Sequence, residues 1–170
     1  VDQVLVQVYQ TLQKLVGLHR QLLDVVRVER EVLVQADLPG IQNAALTKQS
    51  LIEEIKHFEA QRVKQTGELA LIWKVPLREL TLPNIIVFVQ GVDAKTSEQL
   101  RTIFNVLTVL IQRITEQNQA NMALVEKSLE HVHQMKKNIL GEANPQSITY
   151  GHQGQKVTSS QASRLISREV

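Results

Sequence analysis

The sequence predicts an all-α fold: an elongated antiparallel bundle of long helices, made of a helical hairpin, a short crossover helix and one very long C-terminal helix, with a flexible tail behind it. Three observations carry this expectation. Apolar residues recur at three- and four-residue steps over three long stretches. Only 7 Gly and 4 Pro occur in 170 residues, too little turn chemistry for many short strands. Hydrophobic residues make up 43% of the chain but aromatics only 4%, so the core is built of Val, Leu and Ile. A chain this long buries a core without staples. Residues 1–141 form the expected helical domain and 142–170 the tail.

In the first stretch, roughly 3–35, Leu5, Val8, Leu12, Leu15, Leu22, Val26 and Leu33 share one face. His19 and Glu29 occupy two further slots on that face. Asp37-Leu38-Pro39-Gly40 then interrupts. Asp37 suits an N-cap, and Pro39 is tolerated in a first helical turn, where its missing N–H had no partner. A second helix follows over about 38–73, with Ile41, Ala44, Leu51, Ile55, Phe58, Leu69 and Ile72 on its stripe. So short a connection folds the two helices back as an antiparallel pair. Pro76 and Pro83 break residues 74–96. There Thr81 can cap a short helix over Leu82–Val89, Gly91 can end it, and the apolar run at 85–89 plugs one end of the bundle. The last helix starts near Thr96 or Ser97 and stops at Gly141, on a stripe of Leu100, Phe104, Leu107, Ile111, Ile114, Val125, Leu129, Val132 and Ile139. Beyond it Gln, Ser, Thr and Gly dominate, the composition of a flexible tail that can fold on a partner.

Composition also narrows the function. The absence of Cys excludes disulfides, thiolate zinc sites and cysteine nucleophiles, and fits a reducing compartment. Nineteen basic against 17 acidic residues leave a net charge of +2 with no basic stripe, unlike a nucleic-acid binder. No apolar run reaches the roughly 18 residues of a membrane span, and no secretory leader is visible.

Two Glu-x-x-His words, Glu54 to His57 and Glu130 to His133, raise a di-metal site inside a bundle. At about 100° per residue all four fall off the apolar stripes, where inward-facing ligands would have to be. No nucleophile elbow, Walker loop or dinucleotide fingerprint occurs. The sequence therefore points to no catalytic residue, no metal and no cofactor, and to a protein that binds other proteins.

Asn118 and Asn121 fall on the last stripe, ahead of Leu124, Ser128 and Leu129. A buried amide without a partner costs about 1–3 kcal/mol. The pair either forms a satisfied polar layer that sets helix register or faces a groove that stays wet until another helix binds. Glu29-Arg30-Glu31 and Lys48 flank the hairpin turn, the composition of a solvated face, in which Glu29 and Lys48 can also pair. Long apolar stripes can close within one chain or between copies, so self-association stays open.

These words, in this order, resemble the FlgN family of flagellar export chaperones. The hairpin carries Leu22-Leu23, Glu29-Arg30-Glu31-Val32-Leu33, Asp37-Leu38, Lys48-Gln49-Ser50-Leu51 and Glu59-Ala60-Gln61-Arg62. Leu77-Arg78-Glu79-Leu80 follows, then Asn118-Gln119-Ala120-Asn121 with Leu124 and Ser128-Leu129, then Tyr150-Gly151-His152-Gln153-Gly154. The apolar insert at 81–91 departs from the family pattern. The resemblance implies a cytoplasmic chaperone that holds the helical terminal region of hook-associated proteins before secretion and docks on the cytoplasmic domain of the export gate. It implies gate docking by Tyr150, with Gly151 and Gly154 beside it. The pattern of the residues themselves gives the expected client contacts as Asn118, Asn121, Leu124, Ser128 and Leu129 on the last helix and Leu165 and Ile166 in the tail.

Overall fold

The computed structural model describes residues 2–140 and the dipeptides Thr149–Tyr150 and Lys156–Val157. Among these residues α1 spans Asp2–Val34, α2 Leu38–Trp73, α3 Leu82–Gln90 and α4 Ala94–Leu140, with a single 3-10 turn over Leu77–Glu79. The fold is an all-α bundle of long helices. The chain divides into two compact units, Val1–Val125 and Glu126–Val170.

The α1–α2 turn is built from backbone geometry. Ala36 adopts a left-handed φ of 55°. That conformation lets Asp37 N–H reach the Val32 carbonyl at 3.0 Å and Ala36 N–H the Leu33 carbonyl at 3.2 Å, closing the end of α1. Asp37 then caps α2, its carboxylate accepting the Gly40 N–H at 3.2 Å. Gly40 sits so close that a Cβ there would run into the Asp37 carboxylate and lie 2.7 Å from Val32 Cγ1. α2 ends in the same way, with Lys74 left-handed at φ 56° and Val75 N–H on the Ala70 carbonyl at 3.1 Å.

In the crossover, Thr81 holds the N-cap position of α3 by its extended backbone, without a capping bond from its hydroxyl. Gly91 ends α3 with a right-handed φ of −77°, so the stop does not draw on glycine's freedom. Ile85, Ile86 and Val89 are buried in one core cluster with Leu5, Val8, Leu12, Leu69 and Leu100. A second cluster joins Leu18, Leu22, Val26, Leu51, Leu110 and Ile114.

Two expectations for α4 change. It starts at Ala94 rather than Thr96 or Ser97, because Asp93 is the cap: its Oδ1 accepts the N–H groups of Lys95 at 3.0 Å and Thr96 at 3.2 Å, and its Oδ2 the Thr96 hydroxyl. Ser97 is buried, and its hydroxyl donates to the Ile86 carbonyl at 3.0 Å, tying α4 to α3. The buried line of α4 is Leu100, Ile103, Leu107, Leu110 and Ile114. It is rotated from the expected stripe, leaving Phe104 half-buried and Ile111 half-exposed.

In the second unit, β1 (Thr149–Tyr150) pairs antiparallel with β2 (Lys156–Val157), Thr149 opposite Val157 and Tyr150 opposite Lys156. No strand was expected there, although Thr, Tyr and Val all favour strands.

Candidate functional site

One polar constellation joins all three long helices of the first unit. Glu29 on α1 accepts Lys48 Nζ from α2 at 3.1 and 3.0 Å on its two carboxylate oxygens. Asn121 Nδ2 on α4 donates to Glu29 Oε2 and to the Val26 carbonyl, each at 2.9 Å. Gln117 Nε2, one turn back on α4, donates to Asn121 Oδ1 at 3.1 Å. Asn121 is 3% exposed, so every polar atom it brings into the interior is satisfied. The side chains of Lys48 and Glu29 are 25% and 16% exposed, so water reaches the pair only in part.

This geometry decides between the two readings of Asn121 in favour of a polar layer. Slide α4 by one turn and Val125 or Gln117 would stand where Asn121 stands. Val125 has no donor for Glu29 or Val26, and Gln117 would bring its amide there on a longer side chain, so the layer favours the observed register of α4 on the hairpin. Asn118 and Leu124 lie half-buried on either side of it.

Past the layer the apolar stripe of α4 turns from buried to exposed. Val125 is already 40% exposed, and in the second unit Leu129, Val132, Met135 and Ile139 are all exposed, with Ser128 beside them. At about 100° per residue Leu129, Val132, Met135 and Ile139 share one face of the helix. A helix normally hides such a stripe.

The remaining assigned residues are placed unevenly. Tyr150 contributes backbone to the β pair, while Gly151, Gly154, Leu165 and Ile166 lie outside the described residues. Glu54, His57, Glu130 and His133 are exposed. No group of three or more His, Asp or Glu side chains is placed to hold a metal among the described residues. His19 is half-buried, with Nδ1 donating to the Leu15 carbonyl at 2.7 Å. Two features escaped the sequence reading. One is the Gln117 link, whose only sequence signal is its position one turn before Asn121. The other is a cavity of about 420 Å³ where Trp73 and Phe88 meet at 5.5 Å over Leu5 and Val89.

A helical scaffold held in register by a polar layer, with an apolar helix face left open, belongs to the class of proteins that bind other protein chains. The chain is a member of the FlgN family, whose description, FlgN protein, matches residues 5–158. That family is one of flagellar export chaperones rather than enzymes, and its members bind flagellar substrate proteins. No curated protein and no solved structure matched the chain in comparison. No helix among the described residues is long and apolar enough to cross a membrane.

Proposed function

We infer that this chain is a cytoplasmic chaperone that takes the helical terminal region of hook-associated proteins before their secretion and hands them to the cytoplasmic domain of the export gate. The observation that supports this reading is the α4 stripe, buried as far as Asn121 and exposed from Val125. A client helix lies along it in the manner of a helix in a groove, with Leu129 and Ser128 as contacts and Leu124 and Asn118 at its near end. Asn121 shapes this surface from beneath by fixing the register of α4. Leu165 and Ile166 add contacts from the tail, and Tyr150 with Gly151 and Gly154 docks on the gate. Residues 1–141 act as the folded domain and 142–170 as a tail that orders on its partner, which keeps the contact reversible. The work needs no catalysis, metal, cofactor or nucleic acid.

The test is capture of purified hook-associated proteins by the full chain beside Leu129→Glu, Tyr150→Ala and a chain ending at 141. Capture near 1:1 is expected, weakened about tenfold or more by Leu129→Glu, since a charge would be buried against an apolar helix. Tyr150→Ala should keep the client and lose the gate. A folded wild-type chain that captures no hook-associated protein defeats the reading.

A further inference from the structure

The cavity at Trp73 and Phe88 shares no residue with the surfaces assigned above to client or gate. It lies wholly within the first unit, where α2 stops and α3 turns into α4, and holds about 420 Å³. That volume suits a side chain or two rather than a length of helix. Leu5 of α1 and Val89 of α3 form its buried floor. Val6, Phe88 and Val92 stand exposed on its walls. Trp73 is half-buried and leans on Phe88 with the ring planes 33° apart. The chain has one Trp and three Phe, and two of these four rings meet here.

The polar part of the lining comes from one turn. The N–H groups of Val92 at 3.0 Å and Asp93 at 2.8 Å both bond the Val89 carbonyl, which holds Asp93 in the lining beside Val89. Asp93 Oδ1 is filled by the amides of Lys95 and Thr96. Oδ2 accepts only the Thr96 hydroxyl and has room for one more donor. These bonds lower the Asp93 pKa, so the group is ionised at neutral pH. No ion pair among the described residues includes it, and Lys95 acts on it only as a neighbouring charge.

We propose that this cavity takes an arginine side chain presented by another protein, its stem along Leu5 and Val89 and its guanidinium against the Trp73 and Phe88 rings with one N–H on Asp93 Oδ2. Charge complementarity selects this occupant. An aliphatic stem and a planar cationic head on one side chain match an apolar floor, an aromatic wall and a carboxylate in one lining. An anionic group would meet Asp93. A lysine ammonium is more strongly hydrated and lacks the plane that stacks on a ring. The α4 N-terminus opposes a cation with only about half a charge, and its first amides are already taken by Asp93.

The test is titration of the full chain with three capped tripeptides, Leu-Arg-Leu, Leu-Glu-Leu and Leu-norleucine-Leu. Trp73 is the only Trp in the chain, so its fluorescence reports on the cavity. The amide resonances of Phe88, Val92 and Thr96 locate the contact. The arginine peptide is expected to bind about tenfold tighter than the glutamate peptide and about fivefold tighter than the norleucine peptide. Asp93→Asn keeps the helix cap, since Asn caps as well as Asp, and should erase the preference for arginine over norleucine. Phe88→Ala should weaken the arginine peptide about fivefold. If Phe88→Ala disturbs the fold, Val92→Arg replaces it: that side chain is 89% exposed, and its own guanidinium should occupy the cavity and abolish binding. No saturable response up to about 10 mM, equal binding of the three peptides, or an arginine preference that survives Asp93→Asn overturns the proposal. Capture of hook-associated proteins uses none of these residues and should be unchanged in Asp93→Asn, so the chaperone reading stands or falls separately.

Discussion

At the scale of residues, Asn121 is the most consequential side chain described. Replacing it with Ala removes two donors from the interior and leaves Glu29 with Lys48 alone. A loss of about 1–3 kcal/mol is expected, read from urea unfolding. Replacing Glu29, Lys48 and Asn121 together by apolar residues of similar volume should cost less than Asn121→Ala, because no charge is then left half-buried. Polar residues at stripe positions made Asn121 and Glu29 legible in the sequence, whereas Lys48 entered only as a residue flanking the hairpin that could pair with Glu29. The cap of α4 was not, because Thr96 and Ser97 look like capping residues. Ser97 is instead taken up by Ile86 and Thr96 by Asp93. The hydrogen bond from the Thr96 hydroxyl, then the one from the Thr96 amide, lowers the Asp93 pKa below its ordinary 3.8. A lowered carboxyl stabilises the fold fully above the unfolded value and loses that contribution as pH falls through the folded value. The stability gap between wild type and Asp93→Ala, followed by urea midpoints, should therefore be widest near neutral pH and narrow below pH 3.8.

Among the elements, the helix ends give the sharpest tests. Ala36 stands in a left-handed conformation that a Cβ disfavours by roughly 1–2 kcal/mol, so Ala36→Gly should recover up to about 1 kcal/mol in thermal unfolding. Gly40→Ala should go the other way. Its Cβ would displace the Asp37 carboxylate from the cap, and losing such a cap costs about 1 kcal/mol. Gly17→Ala meets open space inside α1 and should stabilise by about 1 kcal/mol. The breaks between helices were legible because Asp37, Pro39, Pro76 and Pro83 announce them. The motifs that close α1 and α2 were not, since Ala36 and Lys74 stand where glycine usually does. The stripe of α4 was legible in period but not in azimuth. Phe104 and Ile111 share the three- and four-residue steps of the buried line, and only packing shows that Ile103 and Leu110 take the inner places.

For the whole molecule, the two core clusters lie entirely within Val1–Val125. A chain ending at 125 should unfold cooperatively with nearly the full-length midpoint, and a midpoint collapsed by the truncation would show that the second unit holds up the first. Class and helix order were legible from periodicity, and family membership from the order of the words. The exposure of the stripe past Asn121 was not, because an apolar period looks the same whether or not something covers it. The polar layer also has a kinetic side. Its bond from Asn121 to Val26 joins residues 95 apart in the chain, whereas α1 and α2 close across three residues. Loop closure makes the hairpin the earlier event and the docking of α4 the later one. Stopped-flow experiments should then find that Asn121→Ala mainly speeds unfolding, while Gly40→Ala slows refolding. In the interval between those events, the hairpin's apolar face stands open beside a helix not yet docked, so the chaperone is itself briefly in the condition of the clients it is made to hold.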